Sequence, residues 1–324
     1  MSTRWLRPCG LAMAVAFGAC AAPAGAPSER ITIPPGASVQ GIADSLAAHG
    51  VISSPRWFRL LARIGGYDRR LQSGLYELTQ GQGARSALRA LTGGHALLTR
   101  FTVPEGFTLL DIADAAEKSL GIPKEHFLAT TRDPALLREF GVPGRSFEGY
   151  LKPETYFFAS GVGPDIVVRA LGLAARADWD SAWAARAEAQ GIDRATTLTL
   201  ASLVEGEARV DGDRPLVAAV YRSRLRLGMP LQADPTVQYA IELSTGERKP
   251  RLYEKDYGFD SPYNTYLRAG LPPGPVGSPG RKSIEAVLNP ASVPFLYFVA
   301  GPDGAHVFSR TYAEHLRAVR RLRR

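Results

Sequence analysis

The amino-acid sequence predicts an α+β protein built from more than one domain. Three observations lead to this prediction: a strand-turn-helix pattern that occurs twice near the start, a series of helical patterns in the middle, and a stretch rich in Gly and Pro that precedes two short apolar runs at the end. A chain of 324 residues is long enough for two domains. We expect a signal or anchor at residues 1–28, a small β/α domain at residues 29–96 and a larger α+β domain at residues 97–324.

The N-terminal segment has the pattern of an export signal, because Arg4 and Arg7 precede an uncharged run, Pro8–Ser28. This run is near the lower limit for crossing a bilayer, and its many Ala and Gly residues make it weakly hydrophobic. The residues before Cys20 resemble a loose lipoprotein cleavage box. A membrane helix, a lipid anchor at Cys20 and ordinary cleavage of the signal therefore stay open, and in each case the chain functions outside the cytoplasm.

An internal repeat provides the first elements. ITIPPGASVQGIADSL at residues 31–46 aligns without gaps on FTVPEGFTLLDIADAA at residues 101–116. Each copy predicts a strand, a turn at Pro-x-Gly and a helix that begins after Ser38 or Thr108, both good N-cap residues. This beginning resembles LysM-like modules, which bind polymers of N-acetylglucosamine. A purely structural duplication is the alternative.

The repeat continues beyond these helices. Trp57 aligns with Phe127, so an aromatic residue recurs at the same place in each copy, and the later SGLYEL is echoed by EGYLKPETY at residues 148–156. Because the second copy runs directly into the region of the candidate acid described below, we expect it to form a wall of the cleft, with Glu148 and Tyr156 among the substrate contacts.

The middle and the end of the chain complete the prediction. Asp303-Gly304 between two apolar runs is typical of a β-hairpin. We expect helices at residues 166–177, 179–190, 198–208 and 214–227, a Gly- and Pro-rich loop at residues 271–280, and strands at residues 295–300 and near 306–309.

One acidic residue on the third of these helices is a candidate general acid. Leu198, Ala201, Ser202 and Glu205 fall on one stripe at helical spacing, so the carboxyl of Glu205 would lie against small or apolar neighbours. Burial disfavours the charged form, and a protonated carboxyl is what a general acid needs to protonate a glycosidic oxygen. The pattern alone does not choose between Glu205 and Glu207, which lies on a neighbouring stripe, and two solvated glutamates on a surface helix are the alternative.

A resemblance resolves that choice. The segments LASLVEGEA, LQADPTVQYA, SPYNTYLRAGLPPGPVGSPG and PFLYFVAGPDGAHVFSRTYAEH, in this order, closely resemble the MltG (YceG-like) family of endolytic murein transglycosylases from about Ile31 to the C-terminus. In that family the first glutamate of the V-E-x-E run is the catalytic acid, which corresponds to Glu205. Gly206 and Ala208 stand where Lys and Thr are frequent, and Ser223 stands where Asn is common. Gly206 lowers helix propensity and suggests that the helix ends near the acid.

The resemblance implies both an activity and a location. Family members cleave bonds between N-acetylmuramic acid and N-acetylglucosamine inside nascent glycan strands, leave 1,6-anhydro ends and thereby end strand elongation. It also implies an inner-membrane protein with its catalytic domain in the periplasm, with peptidoglycan synthase complexes as partners. A non-catalytic glycan-binding scaffold and a muramidase-type hydrolase that uses the same acid are the alternatives.

Two polar segments after the acid provide further candidates. An Asp-Pro-Thr turn presents a carboxylate and a hydroxyl to sugar groups, although Asp234 is also a plausible helix N-cap with Pro235 at the first helical position. Tyrosine faces suit pyranose rings, and an Asn suits an acetamido group, although core packing of one tyrosine is the alternative. The substrate-binding candidates in these segments are Gln232, Asp234, Thr236, Tyr263 and Asn264.

Other chemistries lack sequence support. The two cysteines lie in the N-terminal segment, and the five histidines have no metal-ligand spacing, so we expect no metal and no cofactor. The net charge is +8 and five arginines lie within residues 317–324, but no nucleic-acid motif accompanies them, so we expect no nucleic-acid partner. A lytic transglycosylase needs no second carboxylate, because the 6-hydroxyl of the muramyl sugar is itself the nucleophile.

Overall fold

The structure, a computed structural model, describes residues 26–34, 36–93 and 97–322 and has the mixed α and β composition that the sequence predicted. The chain divides into two compact units, one up to Leu97 and the other Leu98–Arg324. Residues 1–25, which include Cys20 and most of the expected signal or anchor, lie outside the described residues. In the part that is described, no helix combines the length and the apolarity needed to cross a membrane.

The first unit is a two-stranded antiparallel sheet covered by helices. Ile31 on the first strand lies opposite Tyr76 on the second. The core consists of apolar side chains and this tyrosine. The elements are β1 (Ser28–Ile33), α1 (Val39–Ala48), α2 (Pro55–Ile64), β2 (Gly74–Thr79) and α3 (Ala84–Thr92).

The second unit begins with the same pattern, which confirms the strand, turn and helix predicted for each copy. Phe101 on β3 lies opposite Tyr156 on β4 in an antiparallel pair. Ser38 and Thr108 both cap the following helix through their side-chain oxygens, as predicted. This part contains β3 (Leu98–Thr102), α4 (Leu109–Leu120), α5 (Lys124–Thr130), α6 (Pro134–Phe140) and β4 (Thr155–Ala159).

The predicted equivalence of Trp57 and Phe127 is wrong by one residue. Trp57 is 48% exposed, whereas Phe58 and Phe127 are fully buried. The helix α2 starts after its N-cap Ser54, and α5 starts after Pro123, so the first copy has one extra residue before its second helix. Each buried phenylalanine lies four residues after its N-cap.

The rest of the second unit is mainly helical, and the four helices predicted there are confirmed within a few residues. The central helix, α9, packs against α10, α11 and α12. The elements are α7 (Pro164–Asp178), α8 (Ser181–Ala189), α9 (Arg194–Glu207), α10 (Arg214–Arg226), α11 (Asp234–Thr245), α12 (Arg281–Leu288), β5 (Tyr297–Ala300), β6 (His306–Ser309) and α13 (Tyr312–Leu322).

The hairpin at the end of the chain and the N-cap of α11 test two of the predictions. The hairpin β5-β6 forms as predicted, with Gly304 in the left-handed region at φ +83°. The cap of α11 differs from the prediction: Ala233 is the N-cap, and Asp234 is the first helical residue. The carboxylate of Asp234 is instead bonded by two tyrosines, as described below.

Candidate active site

The side chain of Glu205 lies in the last turn of α9 and is only 8% exposed. The helix begins after Asp193, whose carboxylate accepts from the backbone N–H of Thr196, and it ends at Glu207. The sequence predicted an end near the acid from Gly206. The structure adds a reason for that glycine, because a Cβ there would lie 2.5 Å from the side chain of Pro235.

Three donors hold the carboxylate of Glu205. Arg214 donates to Oε1 at 3.0 Å, and the backbone N–H of Gly280 and the hydroxyl of Ser283 donate to Oε2 at 2.9 Å and 2.8 Å. Gly280 is the N-cap of α12, a position where backbone N–H groups favour negative charge. The apolar surroundings predicted for this carboxyl are therefore wrong, because the residues that reach it come from other elements and are polar.

The loop at residues 271–280 is hydrogen-bonded to the stripe of α9 that carries Glu205. Ser202, one turn before Glu205, accepts from the backbone N–H of Val276 at 3.0 Å. Glu205 accepts from Gly280 at the end of the loop. The stripe that the sequence identified thus positions a backbone segment as well as a carboxyl.

The same loop is hydrogen-bonded to the turn of the second repeat. The N–H of Gly106 donates to the carbonyl of Ser278, and the N–H of Ser278 donates to the carbonyl of Phe107, both at 2.7 Å. A Cβ on Gly277 would lie 2.6 Å from the carbonyl oxygen of Gly106, so this approach requires glycine. The repeat therefore forms a wall of the site through its turn.

Glu105, in that turn, is a second carboxylate close to Glu205. A Cβ on Gly280 would lie 2.0 Å from Oε1 of Glu105, and Gly280 is the residue whose N–H binds Glu205. Partial burial, and then the negative charge of Glu205, raise the pKa of Glu105. The site therefore contains two carboxyl groups that both lie next to one backbone residue, Gly280.

A groove with a volume of about 140 Å³ lies beside these residues. Its lining includes Glu105, Pro279, two tryptophans, Trp179 and Trp183, and two arginines, Arg194 and Arg281. We call it the Trp groove. Two of its lining residues connect it to the site of Glu205: Pro279 precedes Gly280 in the chain, and Glu105 lies against Gly280.

Glu207, the other candidate acid, lies in a different environment. It accepts from the hydroxyl of the fully buried Tyr221 at 3.0 Å. Burial, and then the charge of Asp234, raise its pKa to about 7. A general acid also benefits from such a pKa, so acidity does not distinguish the two residues. Their positions do, because the carboxylate of Glu205 is bonded by Gly280, which lies next to Glu105 of the Trp groove.

The start of α11 brings Asp234, one of the predicted binding residues, next to α9, and Gln232 lies two residues before it. Asp234 accepts from the hydroxyl of Tyr266 at 2.6 Å and from that of Tyr257 at 3.4 Å. Gln232 is exposed and has φ 51°, a conformation that non-glycine residues rarely adopt. Such strain is common at functional sites, so Gln232 remains a substrate-binding candidate.

Thr236 and Asn264 have internal roles instead of the predicted substrate contacts. Both are 0% exposed. The hydroxyl of Thr236 donates to the carbonyl of Ala233 at 2.6 Å, and the amide of Asn264 donates to the carbonyls of Tyr257 and Phe259 at 3.0 Å and 2.8 Å. Their hydrogen-bonding groups are already satisfied by the protein, which leaves none for a sugar.

Glu148 is also buried. Its carboxyl accepts from the N–H of Leu109 at 3.1 Å and from the hydroxyl of Tyr239 at 3.0 Å, and burial raises its pKa to about 8. The ring of Tyr263 packs edge-on against Tyr239 at 4.9 Å. A substrate contact of Glu148 is therefore contradicted by its burial, whereas Tyr263 is partly exposed and remains a candidate.

Tyr156 has an equivalent in the first unit, which explains it structurally. Its hydroxyl donates to the carbonyl of Lys152 at 2.8 Å, and that of Tyr76 donates to the carbonyl of Gln72 at 2.9 Å. Both bonds reach four residues back. This turn-closing bond, which both repeats share, gives Tyr156 a structural role, and because the residue is partly exposed its substrate contact stays a prediction.

Four groups of the site were missed by the sequence analysis: Arg214, Ser283, the N–H of Gly280 and Glu105. Three of them reach Glu205 only through tertiary contacts. Glu105 had a detectable signal, because it stands where the first copy of the repeat has Pro35. An acidic residue in one copy of a turn and not in the other marks a difference in role.

Comparisons with known proteins agree with this architecture. The family model described as the YceG-like family matches residues 31–321. An endolytic murein transglycosylase from Bacillus subtilis (strain 168) is 34% identical over 308 residues, which cover 89% of this chain and 83% of that protein. A protein of the same name from Streptococcus pneumoniae (strain D39) is 31% identical, and the match covers 89% of this chain but only 57% of that longer protein.

A solved structure is similar as well. The crystal structure of a YceG-like protein from Listeria monocytogenes superposes with a TM-score of 0.63 at 30% identity, covering 90% of this chain and 99% of that one. A family match over almost the whole described chain, relatives above 30% identity and a shared fold lead to one conclusion. The chain belongs to the YceG-like family.

Proposed function

We propose that the protein is an endolytic lytic transglycosylase that cleaves the bond between N-acetylmuramic acid and N-acetylglucosamine inside peptidoglycan strands. The observation that carries the proposal is the carboxylate of Glu205, oriented by three donors, one of which, Gly280, lies next to Pro279 and Glu105 of the Trp groove. The names of the two relatives in B. subtilis and S. pneumoniae support the same substrate and reaction.

The reaction needs one carboxyl group that acts twice. Glu205 first donates its proton to the glycosidic oxygen, and the bond from that oxygen to C1 of the muramyl sugar breaks. The resulting carboxylate accepts the proton of the 6-hydroxyl as that oxygen bonds to C1, which restores the acid and forms the 1,6-anhydro ring. The three donors hold the carboxylate in one orientation during both steps. They also stabilise the charged carboxylate that exists after the first step and before the second.

A muramidase-type hydrolase is the second candidate, and one observation favours it. Glu105 provides a second carboxyl group near Glu205, and glycoside hydrolases use such a pair, one as the acid and the other to activate water or to bind the sugar. The two candidates differ in the nucleophile and therefore in the product.

The experiment is cleavage of purified glycan strands in oxygen-18 water, followed by mass spectrometry. Intramolecular attack gives unlabelled muramyl ends that are about 18 mass units lighter than hydrolysed ends, since one water is absent from the product. These ends resist borohydride. Labelled, reducible ends as the main product would assign the hydrolase reaction instead, with Glu205 still the proposed acid.

For the first unit we propose a LysM-like role in engaging glycan strands. The order β1-α1-α2-β2, with the two strands paired, supports it. We expect removal of residues 31–94, with the N-terminal segment retained, to weaken binding to long strands more than it slows cleavage of short ones. Equal losses on short and long strands would identify the unit as a folding element.

The cellular setting is also part of the proposal. The N-terminal segment, Arg4 to Ser28, supports a tether at the inner membrane with the second unit in the periplasm, where synthase complexes are the expected partners. Fractionation of cells that produce the wild type and Cys20→Ser tests the form of the tether. Release of the variant alone indicates a lipid anchor, retention of both indicates a membrane helix, and release of both contradicts tethering.

A further inference from the structure

One wall of the Trp groove consists of alternating cations and aromatic rings. The guanidinium of Arg194 lies over Trp179 at 5.9 Å, the rings of Trp179 and Trp183 meet edge-on at 6.1 Å, and the guanidinium of Arg281 lies over Trp183 at 4.8 Å. The wall therefore combines rigid apolar surface with positive charge.

Most cations of this groove already have a carboxylate partner. Arg281 is paired with Glu285 at 3.0 Å, and Lys152 is paired with Glu154 and Asp178 at 3.0 Å each. These charges are compensated within the protein, so they provide little attraction for an anionic ligand.

Arg194 differs from them. Within the part of the chain that the structure describes, no carboxylate oxygen lies within 4.0 Å of its guanidinium, and its buried Nε has no hydrogen-bond acceptor. Its one hydrogen bond to the protein is a long one, 3.4 Å, to the carbonyl of Ala175. Burial lowers the pKa of Arg194, which reflects the cost of keeping this charge away from water.

The rings around Arg194 hold it in place without satisfying its donors. The ring centroids of Tyr150 and Trp179 lie 5.5 Å and 5.9 Å from the guanidinium carbon of Arg194. Aromatic faces stabilise the charge, but they leave the planar N–H groups free to bind a carboxylate with two parallel hydrogen bonds. A ligand carboxylate would supply the partner that the protein itself does not.

We infer that Arg194 binds a carboxylate of the branch that each muramyl sugar carries, so that the Trp groove is a subsite for this branch. The inference rests on the proposed function. The branch is a lactyl group, which has a free carboxylate when it is bare and carries peptide carboxylates when a peptide is attached. The Trp groove suits it because its lining includes Glu105 and Pro279, which lie beside the Gly280 that binds Glu205, and the branch is carried at C3 of the sugar whose C1 bond is cleaved.

The test compares three forms of one strand preparation: strands with intact peptides, the same strands with their carboxylates converted to methylamides, and strands whose peptides have been removed. For the wild type we expect methylamide formation to lower kcat/KM about 10- to 100-fold, mainly through KM, the range for loss of a charge-assisted hydrogen bond. In Arg194→Gln the intact and blocked strands should be cleaved equally well.

Two further variants keep the result interpretable. Arg194→Lys keeps the charge but loses the paired donors, so it should retain only part of the discrimination, and it decides the outcome if Arg194→Gln unfolds at a lower temperature than the assay. Arg186→Gln, on the exposed face of α8 and away from the Trp groove, should discriminate like the wild type.

The third substrate identifies the source of the carboxylate. If the wild type cleaves strands without peptides as poorly as blocked ones, Arg194 binds a peptide carboxylate. If it cleaves them as well as intact ones, Arg194 also binds the lactyl carboxylate that removal of the peptide exposes. The inference is overturned if the wild type does not discriminate, or if both Arg194 variants keep the wild-type ratio. Absence of cleavage of every strand by the wild type would instead refute the proposed function.

Discussion

The two units begin with one structural pattern but bury different kinds of side chain. In each, a capped helix follows a strand, and a tyrosine on the partner strand closes a turn by bonding to the carbonyl four residues before it. In the described part of the first unit, tyrosine is the one residue type in the core that carries a polar group. In the second unit, buried carboxyl, guanidinium, amide and hydroxyl groups extend from Thr108 to Ser309.

This difference indicates why the second copy of the repeat contributes to the candidate active site and the first copy does not. Burying polar groups costs free energy unless they are bonded to one another, so a protein retains them where their chemistry is used. The turn in the second copy carries Glu105 and is hydrogen-bonded to the loop that binds Glu205. The first copy has Pro35 at that position.

The largest expected effect tests whether the chemistry belongs to this polar network. We expect Glu205→Gln, which keeps size and hydrogen bonding but has no proton to deliver, to lower kcat by at least ~100-fold, the low end for general acid catalysis. Glu207→Gln is the matched control two residues away and should lose much less activity. Equal losses in the two variants, or a loss confined to Glu207→Gln, would mean that the wrong carboxylate is assigned.

The second prediction concerns the stability cost of the network. Because the pKa of Glu148 is raised to about 8 in the folded state, its stabilising contribution is fully present below its ordinary pKa near 4.5 and is lost as pH rises through about 8. We expect this group to lower the free energy of unfolding by on the order of 3–5 kcal/mol across that window.

Urea unfolding at pH 5, 7 and 9 measures this contribution. Glu148→Gln has no titrating group at this position, so it should show a weaker pH dependence than the wild type and exceed its stability at pH 9. Glu77→Gln, which alters an exposed carboxylate on β2 of the first unit, should follow the wild-type curve to within about 0.5 kcal/mol. Parallel curves for Glu148→Gln and the wild type would contradict the buried-acid interpretation.

The third prediction compares the two equivalent caps directly. Ser38→Ala removes a cap that bonds only to the backbone N–H of Gly41 and should cost about 1 kcal/mol. Thr108→Ala also removes the 2.6 Å bond to Glu242, which is 2% exposed, and should cost about 2–3 kcal/mol.

The measurement is the free energy of unfolding in urea at pH 7. Thr108→Ser keeps the hydroxyl and should recover most of the loss, which separates the hydrogen bonds from the methyl contact. A cost for Thr108→Ala no greater than that for Ser38→Ala would show that the bond to Glu242 adds nothing.

The smallest expected effect concerns Glu105. Because it lines the Trp groove and lies next to Glu205, we expect Glu105→Gln to lower kcat/KM about 10-fold, less than loss of the acid itself. The pKa of Glu105 is raised by burial and by the charge of Glu205, so the wild-type profile of activity against pH should contain an inflection above pH 4.5 that the variant lacks. Identical profiles would leave Glu105 without a role in the reaction.

Local patterns were sufficient to predict much of the fold. The helix caps at Ser38 and Thr108, the helices of the middle region and the hairpin at Asp303-Gly304 all depend on neighbouring residues, so their signals are complete within short segments. The one-residue error at Trp57 arose because a gapless alignment cannot show an extra residue in a connection, whereas burial of Phe58 shows it at once.

The candidate active site also has some features that the local sequence predicts and others that depend on tertiary contacts. The sequence by itself determined that Glu205 lies on a helical stripe with Ser202, because residues three apart on a helix share a face. Only the tertiary structure decided what surrounds this carboxyl, because Arg214, Ser283 and the N–H of Gly280 come from other elements. The tertiary structure also decided that Thr236, Asn264 and Glu148 are buried. A side chain's partners across 70 or more residues of sequence, as for Gly280 and Ser283, depend on how the helices pack, and no local pattern contains that information.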